Sequence, residues 1–84
     1  MKALVHVTLK SDVLDPQGKA IQHACESLGY AGVTDVRQGK LFEVRLDAAD
    51  EEAARRLLTE LSDKLLANPV IEDYAIVRIE TAPE

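Results

Sequence analysis

The sequence predicts an α+β domain of the ferredoxin-like kind, βαββαβ, with a four-stranded antiparallel sheet and two helices on one face. Three observations predict it. Residues 3–9 and 71–80 alternate apolar and polar side chains with the period of a half-buried strand. Two longer segments repeat apolar residues at helical spacing behind recognisable start signals. Two further short runs between them complete the order strand–helix–strand–strand–helix–strand, a doubled βαβ unit. With 84 residues, the chain is read as one domain, 1–84, ordered through residue 80, with a frayed end at 81–84.

The elements follow in order. In the first strand Ala3, Val5, Val7 and Leu9 share one face, and Leu4, His6 and Thr8 share the other. In "LDPQGKAIQHACESLGY" (14–30), Asp15 can accept from the free N–H groups of the next turn. Pro16 pre-sets φ at the first helical position. Ala20, Ile21, Ala24, Cys25 and Leu28 form the apolar stripe, and Gly29 stands where a left-handed cap is wanted. Residues 33–37 read as a short strand, "QGK" as a turn, and 41–46 as its hairpin partner. In "DAADEEAARRLLTELSDKLLANP", Asp50, Glu51 and Glu52 put negative charge at the positive end of a helix. Ala53, Ala54, Leu57, Leu58, Leu61 and Leu65 form its stripe, and Asn68-Pro69 ends it. In the last strand Ala75, Val77 and Ile79 are read against Tyr74, Ile76 and Arg78.

Composition narrows the function classes. Hydrophobic residues are 46% of the chain, so it folds; with no tryptophan, one phenylalanine and two tyrosines, its core is aliphatic. A domain this small buries only roughly 60–65% of its unfolded surface, and association commonly makes up the margin. A net charge of −5 opposes nucleic-acid binding, which needs clustered Lys and Arg. A single cysteine, Cys25, cannot form an internal disulfide, which fits a reducing, cytoplasmic setting. The alternating N-terminus is neither a signal peptide nor a membrane helix, and no membrane partner is expected.

Helices on one face leave the other face of the sheet open. That face is expected to carry Leu4, His6 and Thr8 with Tyr74, Ile76 and Arg78, joined by Leu41. Leu4, His6, Tyr74 and Ile76 are therefore candidates for self-association. Scattered apolar surface, common on soluble proteins, is the alternative reading.

Convergent reactive groups are scarce. No Cys/His spacing suggests zinc. Cys25 lies on an apolar stripe, unlike an activated thiolate, and His23 lies on the polar side of the same helix. Asp47, Asp50, Glu51 and Glu52 lack a calcium-loop pattern and read as helix capping. Arg37 and Lys40, with Lys10 and Arg45, are either a basic spot for a phosphate or acidic surface, or solvated strand charges. Gly18 belongs to no nucleotide-binding motif. No catalytic, metal or cofactor-binding residue is assigned.

Three words carry a resemblance. "VLDPQGKAIQHA", "VTDVRQGKLFEV" and "LLANPVIEDYAI" are similar to those of the PurS family, in the same order and over nearly the whole chain. The resemblance implies the small subunit of phosphoribosylformylglycinamidine synthase, an ATP-dependent C–N ligase of purine biosynthesis with glutamine as amide donor. It implies a chain without activity of its own, which self-associates as a dimer or tetramer. That chain joins a large PurL synthetase subunit, which holds ATP and magnesium, to a PurQ glutaminase subunit; a part in ammonia transfer is a further expectation. On this reading Asp15-Pro16 starts the helix, and Gln17 and Gly18 are free to meet a partner closely. Asp15, Gln17, Gly18, Arg37, Gly39, Lys40, Asn68, Pro69, Glu72 and Tyr74 are the contact candidates.

Readings from other classes stand beside it. An ACT-like module binding an amino acid at a dimer interface shares the element order. A small enzyme using His23 or Cys25, and an RNA-binding domain, fit less well: the first lacks convergent groups and the second lacks stacking aromatics.

Overall fold

The alternation at the N-terminus becomes the centre of the molecule. In the computed structural model, which describes residues 1–80, β1 (Lys2–Leu9) lies between β2 (Gly39–Arg45) and β3 (Glu72–Glu80), antiparallel to both. Ala3, Val5 and Val7 are fully buried on its inner face. The helices are α1 (Pro16–Ser27) and α2 (Glu51–Leu61), the latter continued by a π-helical turn at Ser62–Leu66. Ala54 and Leu58 of α2 pack down on β1, and Ala67 closes the small core with them. The expectation for 81–84 lies outside the described residues.

The expected fourth strand is corrected. The described residues form a three-stranded sheet, and 33–37 is not part of it. Bonds from this segment run to α1 and to the loop before it. The Thr34 carbonyl accepts from Gln22 Nε2 at 2.9 Å, and Arg37 Nη2 donates to the carbonyls of Lys10 and Val13 at 3.0 and 2.9 Å. The Gln38 N–H donates to Asp15 Oδ2 at 2.6 Å. No hairpin therefore forms at Gln38–Lys40.

The two-helix layer is corrected as well. The caps of α1 are as expected: Asp15 Oδ1 accepts from the Gly18 N–H at 3.0 Å, Pro16 opens the helix, and Gly29 has φ +90°. Yet α1 does not pack on the sheet. Ala20 and Ala24 are exposed, as is Ile21, and Leu28 is 74% exposed. The radius of gyration is 16.2 Å, against roughly 12 Å for a compact chain of this length. Helix α1 and its flanking segments thus extend the molecule rather than thicken it.

A β-bulge changes the faces of β3. Ile79 pairs with Ala3 and Arg78 with Leu4, as alternation predicts, but Val5 pairs with Ile76 and Val7 with Tyr74. One extra residue, Val77, is accommodated between Leu4 and Val5, and it is 58% exposed. A one-residue shift reverses every side chain before it. Tyr74 and Ile76 therefore pack against the core, and their expected place on the open face is corrected. In α2 the π turn acts similarly. Ser62 is buried in regular register with Ala54 and Leu58, and the π turn that starts there shifts the helical phase, so that Leu66 meets the core while Leu65 turns outward. Leu57 is also exposed, at the edge of the stripe.

Two predictions follow from this architecture. Ile76→Ala, which removes core packing, costs about 2 kcal/mol by urea denaturation, and Val77→Ala less than about 0.5. Equal costs would place the bulge elsewhere. The second concerns Asp15. The N–H groups of Gln38 and then Gly18, with Arg37 nearby, hold its carboxyl below its ordinary value of 3.8. Its contribution is fully present above 3.8 and is lost as pH falls through the lower folded value. Asp15→Asn therefore melts below the wild type near neutral pH. The gap closes as pH drops below 3.8, which paired thermal melts measure.

Candidate functional site

One end of the sheet gathers the residues singled out from three separate words. Where β1 ends and β2 and β3 begin, Val7, Leu9, Asp15, Gln17, Gln38, Gly39, Lys40 and Glu72 line an open groove of about 250 Å³. A second groove of about 300 Å³ lies on the other side of Glu72, lined by Lys10, Asp63, Ala67, Pro69, Asp73 and Tyr74. Asp15, Gln17, Gly39, Lys40, Pro69, Glu72 and Tyr74 thus share one continuous surface. Glu72 is the hinge of it: its Oε1 accepts from the Asn68 N–H at 2.8 Å, and its Oε2 lies 3.9 Å from Lys40 Nζ.

The remaining candidates support this surface from behind. Asn68 Oδ1 accepts from the Val70 N–H at 3.0 Å, and the Asn68 carbonyl accepts from Ile71 and Glu72. That turn delivers Pro69 to the groove. Arg37 holds the segment before α1 through its two carbonyl bonds. Gly18 is buried, and a Cβ there would collide with the Val36 carbonyl. The expected role of Gly18, an opening for a partner's backbone, is corrected: the chain's own backbone fills that space. Gly39 is similarly constrained, since a Cβ would lie 2.8 Å from His6 Nε2 and from the Val7 carbonyl.

The electrostatics favour polar protein contact over anion binding. Lys10 Nζ is 2.7 Å from Asp73 Oδ1, Lys40 faces Glu72 and Arg45 Nη2 is 3.6 Å from Glu43. With Arg37 engaged by carbonyls, the suggested basic spot is balanced by acids at each lysine and at Arg45. Burial, with the Asp63 carboxylate beside it, holds the Tyr74 phenol above its ordinary value of 10.0. The phenol is therefore a neutral hydrogen-bonding group at the groove. At the other end of the molecule Asp50 Oδ1 accepts from the Ala53 N–H at 2.8 Å, which is helix capping. Among the described residues no group of three or more His, Cys, Asp or Glu could hold a metal ion, and no helix is long and apolar enough to cross a membrane.

Other surfaces carry the self-association candidates. The open face of the sheet holds Leu4 and an exposed His6, with Leu41 and Ala75 on either side of His6 and Glu43 and Arg78 on either side of Leu4. It is more polar than the sequence suggested, because Tyr74 and Ile76 have left it. The apolar stripe of α1 is a second uncovered surface, with Ala20, Ile21, Ala24 and Leu28 exposed. Sequence reasoning found that stripe but assigned it to the core. It missed Gln38 and Asp63, whose roles depend on the chain path and carry no local signal.

The chain is similar to known proteins in both sequence and fold. A PurS family model, described as phosphoribosylformylglycinamidine (FGAM) synthase, matches residues 2–80. The chain is 47% identical over 77 residues to phosphoribosylformylglycinamidine synthase subunit PurS of Mycobacterium leprae, covering 92% of this chain and 94% of that one. It is similar to the structure of Thermus thermophilus PurS, with a TM-score of 0.87 and 35% identity over 98% of this chain and 96% of that one. It is also similar to a chain in the structure of PurLQS from Thermotoga maritima, with a TM-score of 0.81 and 26% identity over 94% of this chain and 99% of that one. The three quoted words, the three-stranded α+β fold and these matches agree: the chain belongs to the PurS family, the small subunit of phosphoribosylformylglycinamidine synthase.

Proposed function

We propose that this chain is the non-catalytic bridging subunit of its synthase in the cytoplasm. It self-associates and joins a PurL synthetase subunit to a PurQ glutaminase subunit. The complex converts formylglycinamide ribonucleotide to the amidine with ATP and glutamine. ATP and magnesium are held by the synthetase, and ammonia is made by the glutaminase; this chain assists its transfer by holding the two in register.

The observation that carries this reading is the gathering of contact words at one end of the sheet. Asp15, Gln17, Gly39, Lys40, Pro69, Glu72 and Tyr74 come from three segments distant in sequence, yet they line two open grooves that meet at Glu72. Their side chains already hydrogen-bond or pair with one another, so they present a fixed shape rather than a reactive group. The likeness to a chain of PurLQS supports the assembly role. The exposed stripe of α1 supplies a second contact surface on the same chain, and a bridge needs two.

Two outcomes test the proposal. Mixing the purified chain with PurL and PurQ raises glutamine-dependent amidine formation at least about a hundredfold over the mixture without it, an effect of alignment alone. Equal rates with and without the chain would contradict it. Calorimetric titration of the isolated chain with free amino acids gives no binding heat, whereas an ACT-like module would give a saturable one.

A further inference from the structure

We propose that the groove beside Tyr74 receives one arginine side chain of a partner subunit, with its guanidinium on the Asp63 carboxylate and its methylene stem along Ala67 and Pro69. The inference rests on the bridging role proposed above and names the chemistry by which one partner is held.

Charge points to a cation. Lys10, Asp63, Glu72 and Asp73 all line this groove, so three carboxylates face one ammonium. The nearby lysines are committed to other acids. Lys10 Nζ lies 2.7 Å from Asp73 Oδ1, and Lys40 Nζ lies 3.9 Å from Glu72 Oε2. Lys64, the neighbour of Asp63 in sequence, has its Nζ 2.7 Å from Glu60 Oε1. Among the described residues Asp63 has no ion-pair partner of its own. Its carboxylate is exposed and lies beside the Tyr74 phenol, which stays neutral and leaves that charge uncancelled.

Shape selects arginine. The groove holds about 300 Å³, roughly ten waters' share of liquid volume, which suits a long side chain better than a bare ion. Ala67 and Pro69 give it an apolar wall along which a methylene stem can lie. A planar guanidinium meets both oxygens of a carboxylate, whereas an ammonium acts as a point charge. The two segments that line this wall also carry the apolar contact that commonly surrounds such an anchor and keeps water from it. Leu65 stands between Asp63 and Ala67 in sequence, and Val70 follows Pro69; they are 76% and 78% exposed.

Titrating the chain into PurL and PurQ with ATP, magnesium and glutamine tests the contact, and the half-saturating concentration is the readout. Asp63→Asn raises it at least about tenfold, the loss of one charge-assisted contact. Glu52→Gln removes the same charge at the start of α2 and changes it less than about threefold. Both variants keep the wild-type circular dichroism spectrum, because both side chains are exposed. Asp63→Arg raises the value further, and a single arginine-to-aspartate exchange in one of the two partners brings it back to within about tenfold of the wild type. An unchanged value for Asp63→Asn, an equal rise for Glu52→Gln, or an Asp63→Arg variant that no arginine exchange rescues overturns the groove assignment while the bridging role stands. A wild-type chain that does not raise turnover at any concentration overturns both readings.

Discussion

The architecture turns on a single carboxylate. Asp15 is buried, and its two oxygens take the N–H groups of Gly18 and Gln38, so it caps α1 and anchors the entry to β2 at the same point. Arg37 completes the junction by bonding the carbonyls of Lys10 and Val13. Residues 33–37 run beside this junction and outside the sheet, which among the described residues has three strands. Helix α1 is fixed at its base and is not packed on the sheet. The same junction forms one wall of the groove between Asp15, Lys40 and Glu72. Fold and candidate interface therefore share their organising residues.

This arrangement explains why a small chain leaves so much apolar surface open. The core proper is small: Ala3, Val5, Val7, Ala54, Leu58 and Ala67 are its buried hydrophobic members. Folding α1 onto the sheet would enlarge it, but Asp15 and Arg37 hold the helix elsewhere. Such a geometry is costly for a monomer, because it leaves the apolar stripe of α1 uncovered. The groove around Glu72 is held in shape by hydrogen bonds and ion pairs.

Much of this was legible in the sequence. The inner face of β1, both helix caps, the left-handed Gly29 and the stop at Asn68-Pro69 follow from local chemistry that acts within a few residues. The contact words were found by resemblance, and the structure gathers most of them. Three features were not legible. The bulge at Val77 leaves the composition of β3 unchanged while moving Tyr74 and Ile76 to the other face. The π turn at Ser62 preserves helical periodicity up to the residue where it breaks. Residues 33–37 lead into Gln38, which is held by Asp15 about 20 residues away, and a strand-like pattern carries no signal of such a distant partner. The role of Gly18 was misjudged for the same reason, since the Val36 carbonyl that fills its space comes from a distant loop.

The central claim is that α1 presents its apolar stripe to neighbouring chains and not to its own sheet. The most direct measurement is the circular dichroism spectrum and melting of an Ile21→Glu, Leu28→Glu variant, followed by its addition to PurL and PurQ with glutamine. The account predicts a chain that folds like the wild type and fails to support turnover. A variant that unfolds would show the stripe to be internal core, and one that supports full turnover would show that no neighbour uses it; either result contradicts the account.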